Sequence, residues 1–230
     1  MKGVEFFVKT LIKDNRCKER WYPSRIDNYR RYIKLDMNVE GSEELKKNIA
    51  YNLQYIEYIQ KQQDELILSE VIYIMLCKSY IIAGMGIVEG LFTNLLKSKC
   101  LWNTTTWESK GIIKSNENLF DGKTIKIETQ IFEKTESYEM RMDLDSMIKK
   151  IEKKNLLNID HKNFPMLKKL RNLRNRVHLQ QSNDKSDTDY HNFSWSEKKE
   201  MGDILYTILS NETFCSVPGS PEIYNFLKVE

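Results

Sequence analysis

The chain has 230 residues, 40% apolar and 30% charged, the composition of a globular protein long enough to bury a core. A formal net charge of +3 excludes a nucleic-acid binder that works by bulk charge, so any basic surface has to be local. Only four prolines and nine glycines argue against a sandwich or a loop-rich scaffold. The four cysteines, Cys17, Cys77, Cys100 and Cys215, form no CxxC pair, and the spaced histidines of a zinc site are missing. They read as reduced thiols of a cytoplasmic protein with no metal and no cofactor.

In chain order, residues 1–41 are a basic, aromatic N-terminal extension. Its first stretch, "MKGVEFFVKTLIKDNR", has no apolar core long enough for a signal peptide. "RCKERWYPSRIDNYRRYIK" then interleaves Arg16, Arg20, Arg25, Arg30 and Arg31 with Trp21, Tyr22, Tyr29 and Tyr32. Such interleaving can hold single-stranded nucleic acid by stacking and charge. It can equally be an amphipathic helix packing its tyrosines on the body, and that reading is favoured.

Residues 42–63 predict a helix, with Ser42 as cap and Leu45, Ile49, Leu53 and Ile56 at helical spacing. Residues 66–99 predict the longest and most buried helix. Gly84, Gly86 and Gly90 weaken it slightly but allow close approach of a neighbour. Lys78 and Glu89 interrupt its apolar run, leaving uncharged stretches short of the roughly 20 residues of a membrane span. A central buried helix is expected, with no membrane partner. "GMGIVEG" is not a dinucleotide fingerprint, because its third glycine comes one residue late and no strand precedes it.

After Cys100 the pattern changes. Asp121-Gly122 is a turn signal, and Ile125, Ile127, Thr129 and Ile131 alternate with polar residues, which predicts a small β-hairpin inserted at about 101–135. Helical spacing returns in "SYEMRMDLDSMIKKIEKKNLL" and in "NFPMLKKLRNLRNRVHLQQ", where Pro165 suits a first turn. A polar loop, "SNDKSDTDYHNF", leads to a last helix opened by Ser194 and Glu197 in capping-box spacing. The tail, 212–230, reads as irregular. The expected fold is a single, mainly all-α domain over 1–230: a helical bundle with a small inserted β-hairpin.

The chemistry concentrates in "RNLRNRVH", residues 171–178, which crowds three arginines and two asparagines against one of only three histidines in the chain. On a helix over 165–180, at about 100° per residue, Met166, Leu170, Leu173 and Val177 form an apolar stripe. Arg171, Arg174 and His178 lie beside it on one face, and Asn175 borders them. Arg176 and Asn172 turn roughly away, so Arg176→Ala should matter least. Arginine offers permanent charge and a planar fork of donors for phosphate oxygens. Histidine exchanges protons near neutral pH. Phosphoryl transfer on RNA suits this set without a metal, if arginine stabilises the transition-state charge. In-line cleavage works best with both a base and an acid, and two copies across a twofold axis would supply two histidines. The bland alternative is a solvated basic face with a satisfied interface histidine. His161 and His191 read as surface or loop residues, and Asp160, Asp184 and Asp189 as loop residues. Glu89 reads equally well as a tether for an arginine of the facing helix or as part of a polar network in the core.

"LRNLRNRVHLQ" resembles the signature of the HEPN superfamily, in which an arginine and a polar residue precede a histidine, after a short variable gap, on a late helix of an α-helical bundle. Arg171-Asn172 with His178 matches the longer-gap form, whereas Arg174-Asn175 leaves too short a gap. The helix order over about 42–211 is similar too: a long apolar helix with an internal acid, here Glu89, then the signature helix, a polar loop and a closing helix. The resemblance implies a homodimeric, metal-independent endoribonuclease of a toxin–antitoxin, abortive-infection or other antiphage system. Arg171 and His178 would be catalytic, Asn172, Arg174 and Asn175 would bind phosphate or RNA, and Glu89 would support them. It also implies an antitoxin or defence-system protein as a further partner. Other members have lost catalysis, so the rival expectation is a non-catalytic dimer that binds RNA, nucleotide or a partner protein. The hairpin and the basic N-terminus have no counterpart in the resemblance.

Overall fold

The structure, a computed structural model, describes residues 21–177, 187–217 and 221–228. It is mainly α, with a small antiparallel strand set. In chain order come α1 (Ile26–Tyr32), α2 (Ser42–Glu65), α3 (Glu70–Ser98), β1 (Thr104–Lys114), β2 (Asn118–Phe120), β3 (Lys123–Ile125) and β4 (Glu128–Glu139). Then follow α4 (Leu144–Lys153), α5 (Asn163–Arg174), a 3₁₀ turn (Asn175–Val177), α6 (Asp189–Asn192), α7 (Trp195–Leu209) and a second 3₁₀ segment (Glu222–Leu227).

Helix α3 is the axis of the bundle, and α2, α4, α5, α6 and α7 all pack on it. It buries Tyr80, Ile81, Met85, Val88, Leu91, Phe92 and Leu95 along one broad side. Two of its three glycines mark close approaches. A Cβ on Gly84 would lie 2.9 Å from Met201 Cγ of α7, and one on Gly90 would lie 2.8 Å from Leu45 Cδ1 of α2; Gly86 faces open space. By length and composition α3 passes for a membrane-crossing helix, which Lys78 and Glu89 argued against, and 50% of its most apolar window is buried among the other helices. Lys78 is itself buried and pairs with Asp189 at the start of α6, Nζ to Oδ2 2.7 Å. Asp189, expected as a plain loop residue, is therefore a structural anchor.

Helix α4 shows how sequence makes an element. Leu144, Met147, Ile148 and Ile151 recur at three, one and three residues and are all buried, and Asp143 caps the start by accepting from Ser146 N at 2.7 Å. At α7, Ser194 likewise accepts from Ser196 N, and its hydroxyl meets the Glu197 carboxylate.

Several expectations need correction. Ser42 does not cap α2. Gly41 stands at the cap with φ +76°, while the Ser42 hydroxyl donates to the carbonyls of Asp36 and Val39 and accepts from buried Asn94. A left-handed glycine gives the chain its entry angle at no steric cost, so the hydroxyl is released to tie the preceding turn. The β insertion runs from Thr104 to Glu139, longer than 101–135, and is a two-stage ribbon: β1 pairs with β4, and β2 with β3 at the tip. Asp121 and Gly122 turn it with φ +50° and +71°, the left-handed pair of a type I′ turn. The C-terminal tail is not simply irregular, since Tyr224 and Leu227 of the 3₁₀ segment are buried and Cys215 bridges to Ile33.

The packing reading of the N-terminal segment holds for the part described. Tyr29 is buried and its hydroxyl donates to Glu57 at 2.7 Å, as does the Ser24 amide at 2.9 Å, and Trp21 stacks on Tyr58. Arg16, Cys17 and Arg20 lie outside the described residues. Of the other thiols, Cys77 and Cys215 are buried and Cys100 is exposed.

Candidate functional site

Helix α5 packs Phe164, Leu167 and Leu170 into the core, with Met166 and Leu173 half-buried beside them. The expected helix over 165–180 is shorter: regular α-helix stops at Arg174, and one 3₁₀ turn carries the chain to Val177. Val177, expected on the apolar stripe, is 46% exposed. The tightened turn rotates it off the face that a continuous helix would bury. His178 and Asp184 lie outside the described residues.

Around this helix end, three arginines each meet a carboxylate from a different part of the chain. Arg171 Nη2 is 2.8 Å from Asp145 Oδ1 in the first turn of α4. Arg174 Nη2 is 2.6 Å from Glu89 Oε2 of α3. Arg176 Nη2 is 2.7 Å from Asp187 Oδ1, just ahead of α6. On a helix, positions 171 and 174 lie one turn apart on neighbouring lines, so their side chains fan toward α4 and α3. Two cations in the last turn also suit the negative end of the helix dipole.

Arg174 of α5 meets Glu89 of α3, one of the two arrangements expected for that acid, whereas Arg171 turns to Asp145 of α4. Asn172 and Asn175 are both exposed, the first on the helix and the second at its end. Arg176 does not face away into solvent as expected. It is half-buried, and Asp187 receives it. Asp145 and Asp187 were missed, because an ion pair between elements leaves no local spacing to read. The one hint for Asp145 was the acidic "DLDS" opening of α4. His161 and His191 are exposed, as expected. His161 sits 3.4 Å from Glu152, and the His191 ring lies 2.7 Å from the Thr188 hydroxyl.

The electrostatics follow from these contacts. The hydrogen bond from Lys149, and then the charge of Arg171, hold the Asp145 carboxyl below its ordinary range. Asp143 is lowered too, first by the Ser146 amide it accepts and with a smaller contribution from Arg171. A guanidinium has five N–H donors. Among the described residues each of Arg171 and Arg174 meets one carboxylate oxygen, and the buried Nε of Arg171 has no hydrogen-bond partner. Both arginines are partly exposed, so an anion can reach the remaining donors in an orientation set by the acids behind them. No cluster of three or more His, Cys, Asp or Glu with metal-holding geometry occurs among the described residues.

The chain matches no family model, no curated protein and no solved structure.

Proposed function

We propose that the chain is a HEPN-like, metal-independent endoribonuclease that works as a cytoplasmic homodimer in a toxin–antitoxin or antiphage setting. One observation carries this reading. Arg171, the motif arginine, and Arg174, one turn on, are each oriented at the end of α5 by a carboxylate, of α4 and of α3, seven and four residues ahead of His178. Fixed guanidinium groups stabilise the extra negative charge of a pentavalent phosphate without reorganising at the moment of reaction.

The chemistry balances without further components. A histidine takes the proton of the ribose 2′-hydroxyl, and the 2′-oxygen attacks the adjacent phosphorus. The bond to the 5′-oxygen breaks, and a second proton donor protonates that leaving oxygen. The products are a 2′,3′-cyclic phosphate and a 5′-hydroxyl. Two His178 side chains across a twofold axis supply both proton carriers, with Arg171 of each copy on the phosphate and Arg174, Asn172 and Asn175 on flanking phosphates. The test is incubation of labelled RNA with purified protein in EDTA. Cyclic-phosphate ends, resistance of DNA, which lacks the 2′-hydroxyl, and loss of cutting in His178→Ala support the reading. Undiminished cutting by that variant, or a strict magnesium requirement, defeats it.

The same ion pairs also suit a second reading. Each of the two arginines already meets an acid, which suits a non-catalytic HEPN-like dimer that binds RNA, nucleotide or a partner protein. Binding of RNA without cutting in the same assay selects it.

A further inference from the structure

Among the described residues, the β ribbon packs on almost nothing but itself. Not one residue from Thr104 to Glu139 is buried. Only its base is fastened, where Lys97 of α3 holds Glu139 and Lys150 of α4 reaches Asn103 Oδ1 at 2.7 Å. A two-stranded ribbon in water is marginal by itself. This one also displays large apolar side chains on both faces: Trp107, Ile112 and Phe132 share one, and Ile113 lies on the other with Ile131. At the tip Leu119 and Phe120 are 80% and 69% exposed. Divided between the two faces and the tip, these side chains present on the order of 800 Å² of apolar surface, of which any one contact covers a part. Large exposed apolar patches mark interaction sites.

We propose that the ribbon is a dimerisation arm and that its occupant is the ribbon of a second copy of this chain. The proposal rests on the dimeric part of the reading above and not on its chemistry. The charges choose the occupant. Over 104–139 seven acids stand against five lysines, which repels RNA rather than attracting it. Part of the neutralisation is internal: Lys110 lies 2.8 Å from Glu108 and 3.0 Å from Glu133, and Lys114 lies 3.3 Å from Glu128. A surface so balanced demands no oppositely charged partner and tolerates its own copy.

The outer edge of β4 also reads as complementary to itself. Twofold antiparallel pairing about Ile131 keeps residues of like parity opposite each other, as a sheet requires. It sets Glu128 against Lys134 of the second copy, and does so twice. Lys134 has no carboxylate partner among the described residues of its own chain. Gln130 then faces Phe132 of the second copy, and the two Ile131 residues meet at the axis. Four residues separate the arm from α4, whose first turn carries Asp145, the acid that holds Arg171. Pairing of the arms therefore ties the second copy to the element that orients the arginine.

Sedimentation velocity of the full chain at micromolar concentration tests this. The wild type is expected to sediment as a dimer. Ile131→Glu with Phe132→Glu should raise the dissociation constant on the order of 100-fold, because the twofold axis sets every new charge close to its own copy. Both side chains are already half-exposed, so circular dichroism should remain that of the wild type. Lys134→Glu should weaken the dimer about tenfold, and adding Glu128→Lys together with Lys114→Glu, which keeps the pair within the ribbon, should restore it. A monomeric wild type, a dimer that persists in the Ile131→Glu/Phe132→Glu chain, or a failed charge-swap rescue overturns the proposal. RNA cutting assayed in the same samples separates the two readings: a dimer that does not cut leaves the arm standing, and a monomer that cuts removes it.

Discussion

At the end of α5, Arg171, Arg174 and Arg176 reach acids on α4, on α3 and ahead of α6, while in the ribbon Lys110 and Lys114 reach glutamates on their own strand or the next one. The first pattern ties separate elements together and fixes where a guanidinium points. The second fixes nothing beyond the ribbon. An isolated surface ion pair adds little to stability in either place. The difference is therefore one of position: one region is oriented from behind, and the other is a balanced surface without a cover.

The largest effect expected from this contrast is on RNA cutting. Arg171→Ala and His178→Ala should each lower it by about 10²- to 10⁴-fold with an unchanged circular dichroism spectrum. Comparable substitutions in the ribbon, such as Lys110→Ala, should leave the chemical step alone when measured with preformed dimer. Cleavage that falls equally in both would erase the distinction.

Glycines sharpen the contrast at the level of packing. A Cβ on Gly202 of α7 would lie 2.2 Å from the carbonyl oxygen of Leu227 and 3.2 Å from the Tyr80 hydroxyl. Gly202→Ala should therefore cost about 1–3 kcal/mol in urea unfolding, as the buried tail is pushed away. A Cβ on Gly111 of the ribbon would meet nothing within 4 Å, and Gly111→Ala should change stability by about 0.5 kcal/mol or less.

A third arrangement lies between the two regions. Lys198 of α7 is 1% exposed, with its Nζ over the Tyr80 ring at 5.4 Å and no carboxylate in salt-bridge contact among the described residues. Burial pushes its pKa down. A base depressed by folding costs stability as pH drops below its unfolded value, so at neutral pH the charged form is a burden on the fold. Lys198→Met should be neutral or stabilising by about 1 kcal/mol at pH 7, read from the urea midpoint. A loss of more than that would mean that the cation is needed where it sits.

The smallest effects belong to the pairs themselves. Asp145 is held below its ordinary 3.8 by Lys149 and then by Arg171. Its contribution is complete above the unfolded value and is lost as pH falls toward the folded one, below about pH 4. Asp145→Asn should lower stability slightly at neutral pH and leave it unchanged well below pH 4, which flattens the acid side of the stability curve. Arg176→Ala should act mainly through the lost Asp187 contact, with a small fall in stability and an effect on cutting far below that of Arg171→Ala.

The helices were legible in the sequence because α3, α4 and α7 each repeat apolar residues at helical spacing, and the ribbon because Asp121-Gly122 demands a left-handed turn. The end of α5 was not legible. "RNLRNRV" contains no glycine or proline to announce a stop, and the helix closes through a 3₁₀ turn that any of these residues adopts. Glu89 could be suspected as an acid inside an apolar run. Asp145 and Asp187 could not, since their roles exist only once α4 and the segment before α6 have docked. The same holds for Gly41, whose positive φ took over the entry that Ser42 was expected to shape.

The ion pairs at α5 also have an order in time. Glu89 and Asp145 precede Arg174 and Arg171 in the chain, so during synthesis the acids leave the ribosome first. Each of these guanidinium groups then emerges toward a carboxylate already made. Asp187 follows Arg176 by eleven residues, a delay of about one second at roughly 5–20 residues per second. For that interval Arg176 lacks the acid it settles on in the finished fold, and the bend that begins at Asn175 stays open at its far side. Assembly of this corner is therefore finished from the C-terminal side, after the acids for Arg171 and Arg174 have been made.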